Sequence, residues 1–270
     1  MKRTYVKLLT VAGLTGCFLF TSCRSAQETT ARYEISKVEG NMITIDSTWD
    51  ANPDKKATTV LKPYKDKVDA MMYEVIGTSE MKMDKGTPES LLSNLVASVL
   101  QEAAAQVLGK PADMGLVNMG GLRNILPKGD ITVGAVFEIL PFENSLCVLT
   151  MKGTDMKRLF KAIASLHGEG VSGIRLEINK KGELLNATIG GKPVVDDQLY
   201  TVATIDYLAD GNGRMDAFLQ AEKRECPEDA TLRGLFLDYV RKQTAEGKII
   251  TSKLDGRITC LLYTSDAADD

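Results

Sequence analysis

Histidine is almost absent from this chain, which contains only His167 among its 270 residues. A hydrolytic metal centre needs several His, Asp or Cys ligands together. No Ser-His-Asp or Cys-His arrangement can be argued for His167 either, because it lies beside a glycine loop with no nearby nucleophile. An excess of positive charge is missing too, since the net charge is −3 and the pI is about 5.5. The composition therefore argues against a self-contained His-rich metal catalyst and against a nucleic-acid partner.

The N-terminal apolar run is too short to span a membrane. Leu8–Phe20 has about 13 residues, whereas a spanning helix needs roughly 20. The run follows a basic start, so residues 1–22 are predicted to be a signal peptide. Small residues before Cys23 resemble a bacterial lipobox, so we expect Cys23 to be lipidated and to anchor the chain on a membrane. Cys17 matches the motif more closely, but cleavage there would leave Phe18–Phe20 exposed on the tether.

The C-terminal segment Cys260–Asp270 resembles a translated transposon-end sequencing adapter and is set aside as foreign. Of the remaining cysteines, Cys147 lies in an apolar run and is expected to be a buried small hydrophobe, so no disulfide with Cys226 is predicted. The predicted segments are the signal peptide (1–22), a tether (23–32), an N-terminal hairpin (33–54), one large domain (55–259) and the adapter-like tail (260–270).

Hydrophobic periodicity predicts an α+β domain with a mixed β-sheet flanked by helices, because strands and helices mix without strict βαβ alternation. A proline-containing start at Thr87-Pro88-Glu89 is expected to open the main apolar helix. Helices are predicted near residues 60–75, 87–107, 131–137, 154–166 and 231–244. Strands are predicted near residues 75–83, 113–117, 145–151, 174–178, 184–189 and 199–205.

Three short segments next to strand-like runs carry side chains suited to a planar, phosphate-bearing ligand. They are Asn118-Met119-Gly120-Gly121-Leu122-Arg123, Pro141-Phe142-Glu143-Asn144 and Thr204-Ile205-Asp206-Tyr207-Leu208-Ala209-Asp210-Gly211. Aromatic faces can stack on a base, and a guanidinium can donate paired bonds to phosphate or sugar oxygens. Glycines permit positive φ and a close approach of the backbone to a ligand.

The order and spacing of these segments resemble the C-terminal domain of the 5′-nucleotidases, the UDP-sugar hydrolase family. Thr87–Ser90 with Asn94–Val96 resembles the first helix of that domain, and Leu254–Ile258 resembles its closing strand. The similarity runs from about Val60 to Thr259. It implies an α+β domain that supplies the substrate pocket, while a separate metallophosphatase domain carries a two-metal centre. Motifs of the Gly-Asn-His type, which supply that centre, do not occur here.

The resemblance implies a ligand-binding role for particular residues of the three segments. Phe142 and Tyr207 would sandwich the base, and Arg123 would contact phosphate or ribose. Asn118 and Asn144 would bond the base edge or the sugar, although turn stabilisation is an open alternative for both. Gly120 and Gly121 would allow the backbone to approach the ligand.

Two departures from the family pattern affect the sugar and phosphate contacts. The loop after the second aromatic residue is one residue shorter than usual, so Asp210 and Asn212 are both candidates for the aspartate that binds the ribose hydroxyls. Family members also place arginines before the first helix, where this chain has Met81-Lys82-Met83-Asp84-Lys85. Lysines would act there as point charges.

The leading hypothesis is a periplasmic or cell-surface lipoprotein that forms the nucleotide- or nucleoside-binding half of a split 5′-nucleotidase. It would act in nucleotide catabolism with a separately encoded metallophosphatase, which would carry the divalent metals, so no cofactor is expected in this chain. One alternative is a non-enzymatic lipoprotein that captures nucleosides or nucleotides for uptake. Another is a degenerate domain kept for protein contacts.

Overall fold

The computed structural model describes residues 34–261. The predicted signal peptide, both candidate lipidation sites (Cys17 and Cys23), the tether and the adapter-like tail from residue 262 onward lie outside these residues. The chain divides into two compact units, Met1–Asp54 and Lys55–Asp270.

Residues 34–54 contain no strand, so the predicted hairpin is wrong over the part that the structure describes. Its intended apolar side chains, such as Ile35 and Met42, are exposed. An isolated two-stranded hairpin is marginal in water because it has nothing against which to bury an apolar face. The segment instead forms a short 3-10 helix, Ser47–Ala51, capped by Asp46, whose Oδ1 accepts the Thr48 N–H at 2.9 Å.

The second unit mixes helices and strands along its length. The helices are α1 (Lys55–Met72), α2 (Leu91–Ala103), α3 (Ala105–Leu108), α4 (Val133–Ile139), α5 (Gly153–Ser165), α6 (Asp206–Ala209) and α7 (Leu232–Ala245). The strands are β1 (Val75–Ser79), β2 (Met114–Val117), β3 (Gly129–Thr132), β4 (Leu146–Lys152), β5 (Gly170–Ser172), β6 (Ile174–Asn179), β7 (Leu184–Ile189), β8 (Lys192–Pro193), β9 (Leu199–Ile205), β10 (Lys223–Glu225) and β11 (Ile258–Leu261).

The described strands form three sheets, ordered β10-β4-β9-β2-β5, β11-β6-β7-β8 and β1-β3. Two pairs, β2 with β9 and β11 with β6, are parallel, and the other pairs are antiparallel. The predicted α+β class with a mixed sheet is therefore confirmed. The expected boundary of the adapter-like tail, after Thr259, falls inside β11, where Cys260 pairs with Ile178.

Helix α2 is the central core helix and packs against β2, β5 and α7. Leu92, Val96 and Leu100 along it are fully buried. The stretch Leu91–Leu108 is apolar enough to cross a membrane by composition, with a mean hydropathy of 1.3, but half of it is buried inside the protein. The helix lies so close to β2 that a Cβ at Gly115 would sit 2.3 Å from the Ala97 carbonyl oxygen.

Helix α2 begins at Leu91 and not at the predicted start, Thr87-Pro88-Glu89. The segment before the helix is instead bonded to residues 255–257 near the C-terminal end of the described chain. Ser90 is the N-cap, and its Oγ accepts the Ser93 N–H. The Glu89 carboxylate accepts the backbone N–H groups of Asp255, Gly256 and Arg257 at 3.0–3.1 Å. Two sequence motifs more than 160 residues apart are thus bonded directly to each other.

A disulfide joins Cys147 in β4 to Cys226, which directly follows β10, with a Cα–Cα distance of 4.2 Å. The prediction of a merely buried thiol at Cys147 is wrong. Since β10 pairs antiparallel with β4 through Glu225 and Val148, the two cysteines meet across adjacent strands. The bond fastens a three-residue edge strand to the five-stranded sheet.

Reducing this bond should destabilise the protein, because the crosslink closes a loop with a sequence separation of 79 residues. We expect a reductant to lower the free energy of unfolding by about 2–4 kcal/mol. Urea unfolding of the wild type with and without dithiothreitol measures the loss. Cys226→Ser should be as unstable without reductant as the reduced wild type, and equal midpoints for oxidised and reduced wild type would contradict the assignment.

Candidate functional site

The three predicted ligand-binding segments meet along one edge of the five-stranded sheet. Strands β2 and β9 are parallel, with Met114 opposite Val202, so the loops that follow them leave at the same edge. Strand β4 is antiparallel to β9, with Leu146 opposite Ile205, so the loop before β4 lies there too. The backbone N–H of Asp206 donates to the Ser145 carbonyl at 2.9 Å and joins two of the loops.

The first loop is a tight 3-10 turn, Met119–Gly121, that directly follows Asn118. Its two glycines do not have positive φ, so that part of the expectation is wrong, while the close approach of the backbone to a ligand stays a prediction. The Asn118 carboxamide lies against the turn at Gly121, where a Cβ would sit 3.0 Å from Asn118 Oδ1, whereas a Cβ at Gly120 would be at an ordinary contact distance of 3.5 Å. That oxygen is buried and has no hydrogen-bond partner within residues 34–261. A buried acceptor without a donor is costly, so this atom is suited to a donor group on a ligand.

Two cations lie against the same turn. Arg123 is exposed, and its Nη1 donates to the Gly120 carbonyl at 3.3 Å. Lys85 Nζ donates to the Leu122 carbonyl and lies 3.5 Å from that of Met119. The upstream lysine expected to replace a family arginine is therefore at the turn, and both cations can reach an anionic group there.

The second loop presents the Phe142 ring, which is 48% exposed. Arg233, at the start of α7, is buried and bonds to the backbone and a side chain of this loop. Its Nη1 donates to the carbonyls of Leu140 and Pro141 at 3.1 and 3.2 Å, and its Nη2 donates to Glu143. The guanidinium carbon also lies 4.1 Å from the centre of the Phe137 ring.

The helix start secures the rest of the second loop. The Leu232 N–H donates to the Asn144 carbonyl at 2.8 Å, and Ser145 pairs with Thr231. Sequence reasoning missed Arg233 because α7 was treated only as an amphipathic helix. One indication was available: a cation in the first turn of a helix is disfavoured by the helix dipole and needs a partner elsewhere.

The third loop presents Tyr207 from the short helix α6, and its ring is 45% exposed. Both aromatic rings predicted to hold a base are thus accessible at the sheet edge. Gly213 has φ 66°, and a Cβ there would lie 3.1 Å from Leu208 and 3.9 Å from the Tyr207 ring. The positive φ and the close contact with Leu208 therefore favour glycine in this loop.

The two candidates for a ribose contact differ in their environment. The Asp210 carboxylate forms an ion pair with Arg224 Nη1 at 2.6 Å, and Arg224 Nε lies 3.2 Å from Cys226 Sγ. Asn212 is exposed, and within residues 34–261 its carboxamide has no hydrogen-bond partner. The Asn212 carboxamide is therefore available to bond a ligand, whereas the Asp210 carboxylate is already paired with Arg224.

The sheet edge also carries a carboxyl group, Glu169, that the sequence analysis did not single out. Glu169 precedes β5, which pairs antiparallel with β2, so it reaches the same edge beside Asn118. It is partly buried, and its Oε2 accepts the Met119 N–H. Burial raises the pKa of Glu169 to about 7, and the Met119 bond opposes that rise. An acid between two glycines just before a buried strand was the overlooked indication.

Phe142, Arg123 and Asn212 are exposed at the sheet edge. Three concavities of about 210, 300 and 450 Å³ lie elsewhere, and none is lined by a predicted ligand-binding residue. Within residues 34–261, no three His, Cys, Asp or Glu side chains are grouped to hold a metal ion. His167 is exposed beyond the end of α5, with φ 61° and Nε2 3.2 Å from the Lys180 carbonyl.

The chain belongs to the 5′-nucleotidase, C-terminal domain family, whose sequence profile matches residues 75–220. This match confirms the family resemblance drawn from the three segments.

Individual relatives agree with the family assignment. The chain is 28% identical over 188 residues to endonuclease YhcR of Bacillus subtilis (strain 168), covering 67% of this chain and 15% of that protein. It is 27% identical over 238 residues to the trifunctional nucleotide phosphoesterase protein YfkN of the same organism, covering 81% and 16%. The structure resembles a 5′-nucleotidase precursor from Thermus thermophilus with a TM-score of 0.65 and 26% identity, covering 78% of this chain and 44% of that one. The chain thus spans less than half of each relative.

Replacing Arg233 should loosen the Phe142 loop. Arg233→Lys keeps the charge but cannot serve two carbonyls and Glu143 together, so we expect a loss of about 1–3 kcal/mol in the free energy of unfolding. Arg241→Lys is the matched control on the same helix, since Arg241 makes an exposed ion pair with Glu74. It should change stability by no more than about 0.5 kcal/mol. Equal losses in urea unfolding would show that Arg233 has no special role.

Proposed function

We propose that this chain binds a nucleotide or nucleoside at the sheet edge and is the substrate-binding half of a 5′-nucleotidase. A separately encoded metallophosphatase would hydrolyse the phosphate ester, which places the pair in nucleotide catabolism. The observation that carries the proposal is the exposure of both Phe142 and Tyr207 on adjoining loops of a nucleotidase-family domain. The name of YfkN, a nucleotide phosphoesterase, supports a nucleotide as the ligand class.

Each side chain has a task in this proposal. Phe142 and Tyr207 stack on the two faces of the base, a contact worth about 1–3 kcal/mol per base. Asn118 Oδ1 accepts a donor from the base or sugar and so gains the partner it lacks. Arg123 and Lys85 bind the phosphate, while Asn144 and Asn212 remain for the base edge and the ribose hydroxyls.

In this proposal the chain and its partner take different tasks, according to the metal ligands that each can offer. The described residues offer no grouped metal ligands, so this chain would bind and orient the substrate. The partner would supply the divalent metals and the attacking water. The exposure of Phe142 and Tyr207 supports this arrangement, since a second protein could cover the ligand from the exposed side.

Export to the periplasm or cell surface is part of the proposal. The basic start and apolar run before Cys23 support a lipid anchor. The Cys147–Cys226 disulfide adds independent support, because such bonds persist mainly in oxidising compartments outside the cytosol.

Removing either ring should weaken ligand binding. Phe142→Ala and Tyr207→Ala should each raise the Kd for adenosine about tenfold or more, because one stacked face is lost. Isothermal titration calorimetry measures the change. Tyr64→Ala is the control, since Tyr64 is an aromatic side chain that is 69% exposed on α1, away from the predicted segments. Adenosine and AMP binding that is unaffected by both ring variants would overturn the proposed site.

Hydrolysis should require the second protein. We expect purified chain alone to leave AMP intact, and a metallophosphatase encoded by a neighbouring gene to hydrolyse AMP faster when this chain is added. Phosphate release measures both rates, and the Phe142→Ala variant should stimulate less. Metal-dependent turnover by this chain alone would contradict the split arrangement, whereas binding without any stimulation would favour a ligand-capturing lipoprotein.

A further inference from the structure

Helix α1 buries none of its 18 residues. It packs chiefly against α4, and a close contact lies at its C-terminal end, where a Cβ at Gly134 would sit 3.0 Å from the Met72 carbonyl oxygen. Most of the stability of a helix in a protein comes from packing its apolar face, and Pro63 inside α1 removes one backbone hydrogen bond as well. This helix therefore has much to gain from a further surface that covers it.

An apolar stripe runs along the exposed side of α1. Its residues recur at intervals of three or four, so they share one face of the helix. They are 46–69% exposed, and we call them the α1 stripe: Val60, Leu61, Tyr64, Val68 and Met71. The described residues thus leave a continuous apolar surface uncovered.

Lysines border the α1 stripe on both sides. With about 100° between successive residues, Lys56 and Lys67 lie along one side of the stripe and Lys65 along the other, whereas Asp66 lies on the opposite face. Within residues 34–261, Lys56 and Lys67 form no ion pair, while Lys65 pairs with Asp69 at 2.5 Å. The helix has five lysines against two aspartates, a net charge of +3, although the whole chain has a net charge of −3.

This arrangement matches an anionic lipid surface better than a second copy of the chain. Helices that lie in a membrane interface bury an apolar face and carry lysines beside it, whose long stems let the charge reach the headgroups. A second copy packed on the α1 stripe would bring the bordering lysines of both helices together, and like charges in contact are unfavourable.

The sequence also places α1 near the expected lipid anchor. Cys23 precedes the helix by about 30 residues, a length of chain that can span at most about 110 Å. A chain anchored at Cys23 therefore keeps α1 within reach of the membrane.

We propose that α1 lies in the interface of an anionic phospholipid membrane, with the α1 stripe against the acyl chains and its bordering lysines at the headgroups. This contact is separate from the proposed lipid anchor, and it fixes which side of the domain faces the membrane. The proposed ligand site uses other segments of the chain, so the failure of either proposal leaves the other standing.

Vesicle flotation tests the contact in the absence of an acyl chain. The probe is the mature chain from residue 23 with Cys23→Ser, mixed with vesicles of phosphatidylcholine alone or with an equal share of phosphatidylglycerol. We expect binding to the anionic vesicles that weakens at high salt, and little binding to the neutral ones, because salt screens the attraction between lysines and headgroups. Equal binding to both kinds of vesicle, or binding to neither, overturns the proposal.

Paired lysine variants locate the contact on the helix. Lys56→Gln with Lys67→Gln should lower the partition coefficient about tenfold or more, because two contacts with the headgroups are lost. Lys55→Gln with Lys62→Gln is the matched control, since it removes the same charge from the side of α1 away from the stripe. Equal losses in the two pairs would show a general attraction of charge and would contradict a specific face.

Leu61→Gln with Tyr64→Gln tests the apolar part, because glutamine is a good helix former without the apolar surface. We expect about a tenfold loss of vesicle binding, with the urea unfolding midpoint unchanged, since both side chains are exposed. Sedimentation velocity covers the other occupant: a dimer that this variant dissolves, without vesicle binding by the wild type, assigns the α1 stripe to a second copy and overturns the proposal. Should the variant not fold, the comparison of anionic with neutral vesicles for the wild-type helix remains decisive.

Discussion

The pairing of β9 with strands of opposite direction on its two sides is the constraint on which the site depends. Its parallel neighbour β2 brings the Asn118 turn to the edge where β9 ends, and its antiparallel neighbour β4 brings the Phe142 loop there. Segments that lie far apart in the sequence thereby meet at one end of the sheet. The same edge receives Glu169 from β5 and Arg224 from β10.

Residues outside the three ligand-binding loops hold those loops in place and so determine the positions of their side chains. Arg233 reaches from α7 to three groups of the Phe142 loop, and the disulfide fastens the edge strand that carries Arg224. Arg224 in turn engages Asp210, which leaves Asn212 as the freer polar side chain of its loop. These contacts favour a surface that is largely formed before a ligand arrives, which lowers the entropy cost of binding.

The sequence predicted the α+β class and the positions of the long elements because their apolar periodicity is strong, as in β4, β9 and α2. It could not pair Cys147 with Cys226, because their meeting depends on strand order across 79 residues. The positive φ expected at Gly120 and Gly121 was also wrong, and the sequence could not show that the Asn118 side chain folds back against Gly121. Arg233 and Glu169 act through tertiary contacts, and their environment is invisible in a local pattern. The prediction of an N-terminal hairpin was wrong for the converse reason: a local alternation of apolar residues does not by itself make a stable pair of strands.

As proposed, this chain is a binding domain that grips a base between two exposed rings and relies on another protein for bond cleavage. A crystal structure of the chain soaked with adenosine tests that claim most directly. We expect the purine to lie between the rings of Phe142 and Tyr207, with Asn118 Oδ1 accepting a hydrogen bond from the ligand. Adenosine bound elsewhere, or rings too far apart to contact the same base, would contradict that arrangement.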